Sequence, residues 1–446
     1  MNRRARVKGA NDSSPSSPNL RSADNGARLT YDHNITLSSP TALLNSRVYA
    51  AIPFFFALIL LLSGVYEIPF VSVDVPLVAK GKQVLFVCFM VLMGGFLRWR
   101  EAMRSWFTLF CGIWALLHIG HWVFRAGYGD IYFHRLIQIA FIWVFVNFVV
   151  QRKEGSAPFF AIRTYFSPAL FSAACLLLAL FVFHPGLVRT ITGGLGGNRF
   201  GFSIWLSQFV FLTFLVSMGK PGQSSLSVFA WATPIVVLQV FTGGRAGLLA
   251  SLAIWLYFAH RLGGVRMLTM NVAYLAMLIT LSAAALTLSY INTDETIFRV
   301  TKIVPDVVYM FAGSDTLSWL DRLSSYRIGI LASVITTLDA DSILLGKGVG
   351  NFQGHVPWGM SEVHNIFLRA LGELGVIGLG TMVALLALPY YKQAQNADIA
   401  ATRFFCGIFI LVGMLHSEFL TTAISTCMVF WLGYAELLRG QESGAR

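Results

Sequence analysis

Charge is what this sequence has least of. Asp, Glu, Lys and Arg together make up 12% of its 446 residues, against about 25% in a soluble globular chain. That deficit excludes an ordinary water-solvated domain. Acidic residues are the scarcer sign, 21 against 33 Lys and Arg, for a formal net charge of +12. The excess sits mostly in the N-terminal tail and in short loops, where it carries topology information. It does not form the basic patch of a nucleic-acid-binding face, so no nucleic-acid partner is expected. Cysteine is also scarce, at five residues. Cys88, Cys111, Cys175, Cys406 and Cys427 all fall inside predicted spans, and none has zinc-ligand spacing with a neighbour. This excludes a disulfide framework and a thiolate metal site, and predicts small buried core residues.

Apolar sequence fills the rest. Hydrophobic residues make up 56% of the chain and the mean hydropathy is +0.66. Many long apolar runs predict an all-α polytopic membrane protein of about twelve transmembrane helices. Candidate spans lie near 48–65, 77–97, 105–124, 131–150, 165–184, 200–218, 226–241, 246–259, 268–290, 366–389, 404–417 and 419–438. Residues 1–45 are rich in Ser, Pro, Asn and Arg and lack an apolar run, which predicts a disordered cytoplasmic tail. No cleavable signal peptide is expected, the first span serving as the insertion signal. Spans one to nine occupy 46–290, a large outer loop 291–363, spans ten to twelve 364–438, and a second cytoplasmic tail 439–446.

The loops alternate in charge. Arg98, Arg100 and Arg104, Arg152, Lys153 and Arg163, Lys220, Arg261 and Arg266, Lys392 and Arg403, and Arg439 share one side with the basic tail. By the positive-inside rule that side is cytoplasmic, and an even span count puts both termini there. The other side carries fewer basic residues, but several stand out.

Four of these carry the chemical expectation. From Trp319 to Leu338 the long loop has a helical period, with Leu320, Leu323, Leu331, Val334 and Leu338 within about 40° of one direction. Arg327 points the same way, and a charge in an apolar stripe is expensive unless paired. Its partner is either an anionic ligand or a carboxylate such as Glu362 or Asp321. Arg322 lies about 140° away, on a polar face. Arg245 ends the turn Thr242-Gly243-Gly244 before a span, where free backbone N–H groups and the helix dipole favour an anion. The guanidinium adds a planar fork for phosphate; an interfacial anchor is the alternative. Arg199 follows a Gly-rich run in a similar position. His364 stands where the long loop meets the tenth span, and an imidazole there can take a proton from a sugar hydroxyl. A helix-start histidine bonded to backbone is the alternative. Glu373, nine residues on, lies roughly 13 Å deeper and is spaced to pair with Arg369 at i, i+4.

Two further patterns are weaker. His118 and His121 at i, i+3, with His134, could form part of a metal site, but no HExxH pattern or nearby carboxylate accompanies them, so packed interior histidines are expected. Asp339-Ala340-Asp341 matches the metal-holding D-x-D of some glycosyltransferases, and a plain loop is expected.

The segments TGGRAGLLA (242–250), SSYRIGILASV (324–334), LLGKGVGNF (344–352) and VHNIFLRALGELGVIG (363–378) resemble the O-antigen ligase/polymerase family. The likeness covers roughly 195–380. It implies a metal-independent glycosyltransferase of the GT-C-like type with a large helical periplasmic loop and no cofactor. It implies a donor polysaccharide on undecaprenyl diphosphate, met at the periplasmic face of a Gram-negative inner membrane. The acceptor is a sugar hydroxyl of the lipid A core in the ligases, another lipid-linked repeat unit in the polymerases, and Ser or Thr in related protein glycosylases. The resemblance makes His364 the base and Arg245 and Arg327 diphosphate ligands. Arg199, Arg322, Gly244 and Asn365 are further substrate-binding candidates, and Arg369 and Glu373 structural support. Ligase is the leading expectation; polymerase or protein glycosylation is the alternative within the family, and a transporter of an anionic lipid the alternative outside it.

If the helical phase around Arg327 is right, Arg327→Ala should lower glycan transfer far more than Arg322→Ala in a membrane assay. The reverse order would show the phase to be misassigned.

Overall fold

The computed structural model describes residues 75–125, 129–151, 175, 199–218, 225–242, 245–288, 332, 335–336, 338–349, 352, 363, 365–391, 397–414 and 427–443. All of them belong to one compact unit, Tyr49–Arg446. Among the described residues there are helices and no strands. The helices are α1 (Val75–Gly95), α2 (Trp99–Ala102), α3 (Trp106–Arg125), α4 (Gly129–Val150), α5 (Arg199–Met218), α6 (Ser225–Thr242), α7 (Arg245–Leu288), α8 (Ala340–Leu345), α9 (Ile366–Ala387), α10 (Ala397–Gly413) and α11 (Met428–Ser443).

Four described segments are long and apolar enough to cross a membrane: Trp106–Phe124, Tyr132–Val150, Ala246–Ser282 and Ile366–Tyr390. Shorter apolar stretches cover Val84–Gly95, Ser203–Leu215, Val228–Val240 and Ile399–Gly413. The expected spans at 48–65 and 165–184 lie outside the described residues, apart from Cys175. The expected helical stretch 319–338 lies almost wholly outside them too.

The expected spans 246–259 and 268–290 are the two arms of α7, with Gly263 (φ −155°, ψ 22°) and Gly264 (φ 63°, ψ −151°) between them. In one straight helix Trp255 and Asn271 would stand about 24 Å apart. Instead the Trp255 indole N–H donates to Asn271 Oδ1 at 2.8 Å, and the Trp255 and Tyr274 rings lie 6.1 Å apart. The arms therefore fold back as a hairpin. The positive φ at Gly264 is what lets the chain reverse.

Helices α5, α6 and α7 pack mutually, and α7 also packs on α10. A second group sets α4 against α1, α3 and α11, and α3 against α9, with α11 joining α10. Aromatic stacks connect the groups: Phe211 on Phe405 at 3.9 Å and Tyr257 on Phe404 at 4.2 Å. Helices α5 and α7 approach closely because Gly247 has no side chain. A Cβ there would stand 2.3 Å from the Ser203 carbonyl.

The loop at 98–104 meets the end of α4, as a shared side requires. The Arg98 amide donates to Gln151 Oε1 at 2.7 Å, and the Arg98 guanidinium to the Gln151 carbonyl at 2.9 Å. Arg403 is not a loop residue but lies within α10. Its guanidinium donates to the Pro389 carbonyl at 3.4 Å and its own carbonyl accepts from the Tyr390 hydroxyl at 3.2 Å, clasping α9 to α10.

All five cysteines are free. Cys111, Cys406 and Cys427 are buried, Cys175 is half-buried, and Cys88 is exposed. The core expectation fails at Cys88 because it shares the outward face of α1 with the exposed Val84 and Val91.

Candidate functional site

Helix α5 begins at Arg199 and α7 begins at Arg245. The contact of Gly247 with Ser203 sets the first turns of these two helices side by side. Gln239, near the end of α6, donates to the Ser203 carbonyl at 2.7 Å and closes the corner. Two arginine-led N-termini thus share one end of the bundle, each with the positive pole of its helix. Gly244 lies outside the described residues.

Helix α9 begins at the same end. Phe211 and Tyr257 lie about 18 Å along their helices from Arg199 and Arg245. They stack on Phe405 and Phe404, which lie about 14 Å from Met414 at the end of α10. The Met414 carbonyl in turn accepts from Asn365 Nδ2 at 3.1 Å. The starts of α5, α7 and α9 therefore lie toward the same end of the bundle. His364, Arg322 and Arg327 lie outside the described residues, but Val363 and Asn365, which flank His364, are both buried.

Asn365 is the N-cap of α9. Its Oδ1 accepts from the amides of Phe367 and Leu368, both at 2.9 Å. With the bond to Met414, the side chain makes three hydrogen bonds within the protein. Arg369 and Glu373 pair as their spacing predicts, Nε to Oε1 at 3.0 Å. Each is 4% exposed, and Arg369 Nη1 has no hydrogen-bond partner among the described residues.

Sequence reasoning missed what surrounds this pair. Helix α9 is broken at Gly375, with φ 71° and ψ −170°. The amides of Lys347 and Gly348 donate to the carbonyls of Gly372 and Glu373 at 2.7 and 3.0 Å. Part of the expected outer loop therefore lies about 10–12 Å along α9 from Asn365, and not beyond its end. Such irregular backbone is tolerated at membrane depth where protein surrounds it. The Val349 amide donates to the Tyr132 hydroxyl at 3.0 Å, and Tyr132 is fully buried. Arg135, Gln138 and Gln208 are also buried, and Gln208 Oε1 accepts from the Val429 amide at 3.0 Å. Polar residues inside apolar spans were the available signal.

The weaker patterns resolve differently from one another. His118 is an interior residue, with Nδ1 2.8 Å from the Trp114 carbonyl. His121 is half-buried, and His134 is exposed next to the exposed Phe133, so the interior expectation fails there. The D-x-D is not plain loop, because Asp341 sits in the first turn of α8. Asp339 lies 3.9 Å from the Lys347 ammonium. No group of three or more His, Cys, Asp or Glu able to hold a metal occurs among the described residues.

Beside the broken helix is a crevice of about 450 Å³. Its described walls include Ile113, Leu117 and Phe124 of α3, Leu344 and Leu345 of α8, and Leu374 of α9, with His121 the polar side chain among the described lining residues.

No protein-family model matches the chain, and no curated protein matches it.

Removing one partner of a buried pair leaves a naked charge, at a cost of about 3–5 kcal/mol. Glu373→Leu should therefore lower the unfolding temperature in detergent strongly, and adding Arg369→Met should restore much of it. Equal, mild losses in the single and double variants would show that the pair is not buried in the folded protein.

Proposed function

We propose that this protein is an O-antigen ligase, a membrane glycosyltransferase of the inner membrane with its site at the periplasmic face. It moves a polysaccharide from undecaprenyl diphosphate to a sugar hydroxyl of the lipid A core. The observation that carries the reading is the convergence of three helix starts, those of α5 at Arg199, α7 at Arg245 and α9 behind its Asn365 cap, toward one end of the bundle. Helix N-termini with arginines suit a diphosphate. The apolar crevice between α3 and α9 offers a seat for part of an isoprenoid chain.

The chemistry is a direct displacement. The acceptor hydroxyl oxygen forms a bond to the anomeric carbon of the donor sugar, while the bond from that carbon to the diphosphate oxygen breaks. The electron pair of the breaking bond leaves with the lipid diphosphate, and the hydroxyl proton passes to His364. Attack opposite the leaving group inverts the anomeric centre. The diphosphate gains charge as it departs, and Arg245 and Arg327 stabilise that charge. Arg199 and Arg322 extend the cationic surface.

General-base catalysis contributes about 10²–10⁴-fold. His364→Ala should thus reduce transfer at least about 100-fold with purified protein, lipid-linked donor and lipid A-core acceptor, while protein levels stay normal. Activity near that of the wild type would remove His364 from the mechanism.

A further inference from the structure

The break in α9 poses an accounting problem. In an unbroken helix the Gly372 and Glu373 carbonyls would accept from amides four residues on. The backbone at Gly375 turns away from that path, and buried backbone carbonyls left bare are costly. The amides of Lys347 and Gly348 take the vacated positions.

This substitution needs two glycines facing each other. A Cβ on Gly346 (φ 73°) would meet the Glu373 carbonyl oxygen at 2.4 Å, and one on Gly375 would meet the Leu344 carbonyl oxygen at 2.3 Å. Both positions also have positive φ, where a side chain is strained. The strand of chain at 346–349 is therefore a strap fitted to the break.

The strap has a third bond, and it leads to another helix. The Val349 amide donates to the hydroxyl of Tyr132 on α4, a residue 217 positions away. Beyond it, Phe352 lies against Gly372, where a Cβ would be 2.4 Å from the ring. Phe352 packs in a small cluster with Val363, Leu338 and Leu368. The strap thus grips the upper half of α9, residues 366–374, from the side. That half carries Asn365 and follows His364. Because the helix is broken at Gly375, the lower half does not dictate the direction of the upper half.

We infer that Tyr132 is a positioning residue for His364. Its hydroxyl holds the strap, the strap holds the upper half of α9, and His364 directly precedes the Asn365 cap of that half-helix in the chain. The inference rests on the transferase reading for its consequence and on the hydrogen bonds alone for its mechanics. A general base acts only within hydrogen-bond reach of its proton, and small misplacements cost much of the rate.

The test uses the full chain in lipid nanodiscs, as wild type, Tyr132→Phe and Gly375→Ala. Amide hydrogen exchange is followed at 346–349 and 365–374, beside turnover and apparent KM for the donor. Tyr274→Phe serves as control, since it deletes a hydroxyl bonded to Thr233 at 3.0 Å elsewhere in the bundle. Tyr132→Phe should speed exchange in both segments and lower turnover about tenfold or more, with donor KM and unfolding temperature close to wild type. Gly375→Ala should loosen both segments and lower turnover more severely, with a lower unfolding temperature because its Cβ meets the Leu344 carbonyl, and Tyr274→Phe should neither loosen them nor lower turnover. Faster exchange confined to 346–349, or unchanged turnover with both segments loosened, would overturn the inference. Fast exchange at 346–349 in the wild type would overturn it as well. A wild type that shows slow exchange there but no transfer would defeat the transferase reading, and the exchange result would still decide whether Tyr132 controls α9.

Discussion

Two hydrogen bonds, from the amides of Lys347 and Gly348 to the carbonyls of Gly372 and Glu373, hold together the part of the structure on which the proposed site depends. Backbone groups surrounded by apolar side chains need partners, and a broken helix in such surroundings exposes carbonyls that its own chain no longer serves. Gly375 creates that need, and the 346–349 segment answers it. The rest follows from the repair. Gly346 must be glycine, Tyr132 becomes the acceptor for the next amide, and Phe352 fills the space over Gly372. The upper half of α9 is then held from two directions: by the strap, itself anchored by Tyr132, and by the Asn365 bond to Met414.

The same economy governs the buried charges. Arg369 and Glu373 lie on the half-helix that the strap grips, and each side chain is almost wholly covered. An ion pair in such a place is weak support for stability but strongly penalises the loss of either member. Across the bundle, Gly247 allows α5 and α7 to run side by side from a common level, so their positive ends add. A site for a doubly anionic leaving group needs such a concentration of fixed positive potential. For the proposed lipid-linked donor, the apolar crevice along α3 and α8 is the candidate path.

Much of the local structure was legible in the sequence, and little of the long-range structure was. Hydropathy placed α1, α3, α4, α5 and α6 within about two residues of their ends, as helix boundaries usually allow. The i, i+4 spacing of Arg369 and Glu373 foretold their pair, and the Gly-Gly pair at 263–264 falls where the two spans were divided. The re-entrant strap was not legible. Residues 344–349 read as loop because their partners are two carbonyls of α9 and one hydroxyl of α4, and such contacts leave no period in the chain. Tyr132 and Gln208 were missed for the same reason: their partners lie 217 and 221 residues away. His134 misled because an apolar neighbourhood in sequence does not say which face of a helix looks outward.

The function itself is decided most directly by a gel of lipopolysaccharide from cells lacking this gene, run beside the undecaprenyl-linked glycan from the same cells. A ligase leaves core with no O-chain while long polymer accumulates on the lipid carrier, and that is the outcome expected here. Core capped by a single repeat unit would mean a polymerase, and an unchanged ladder would contradict both.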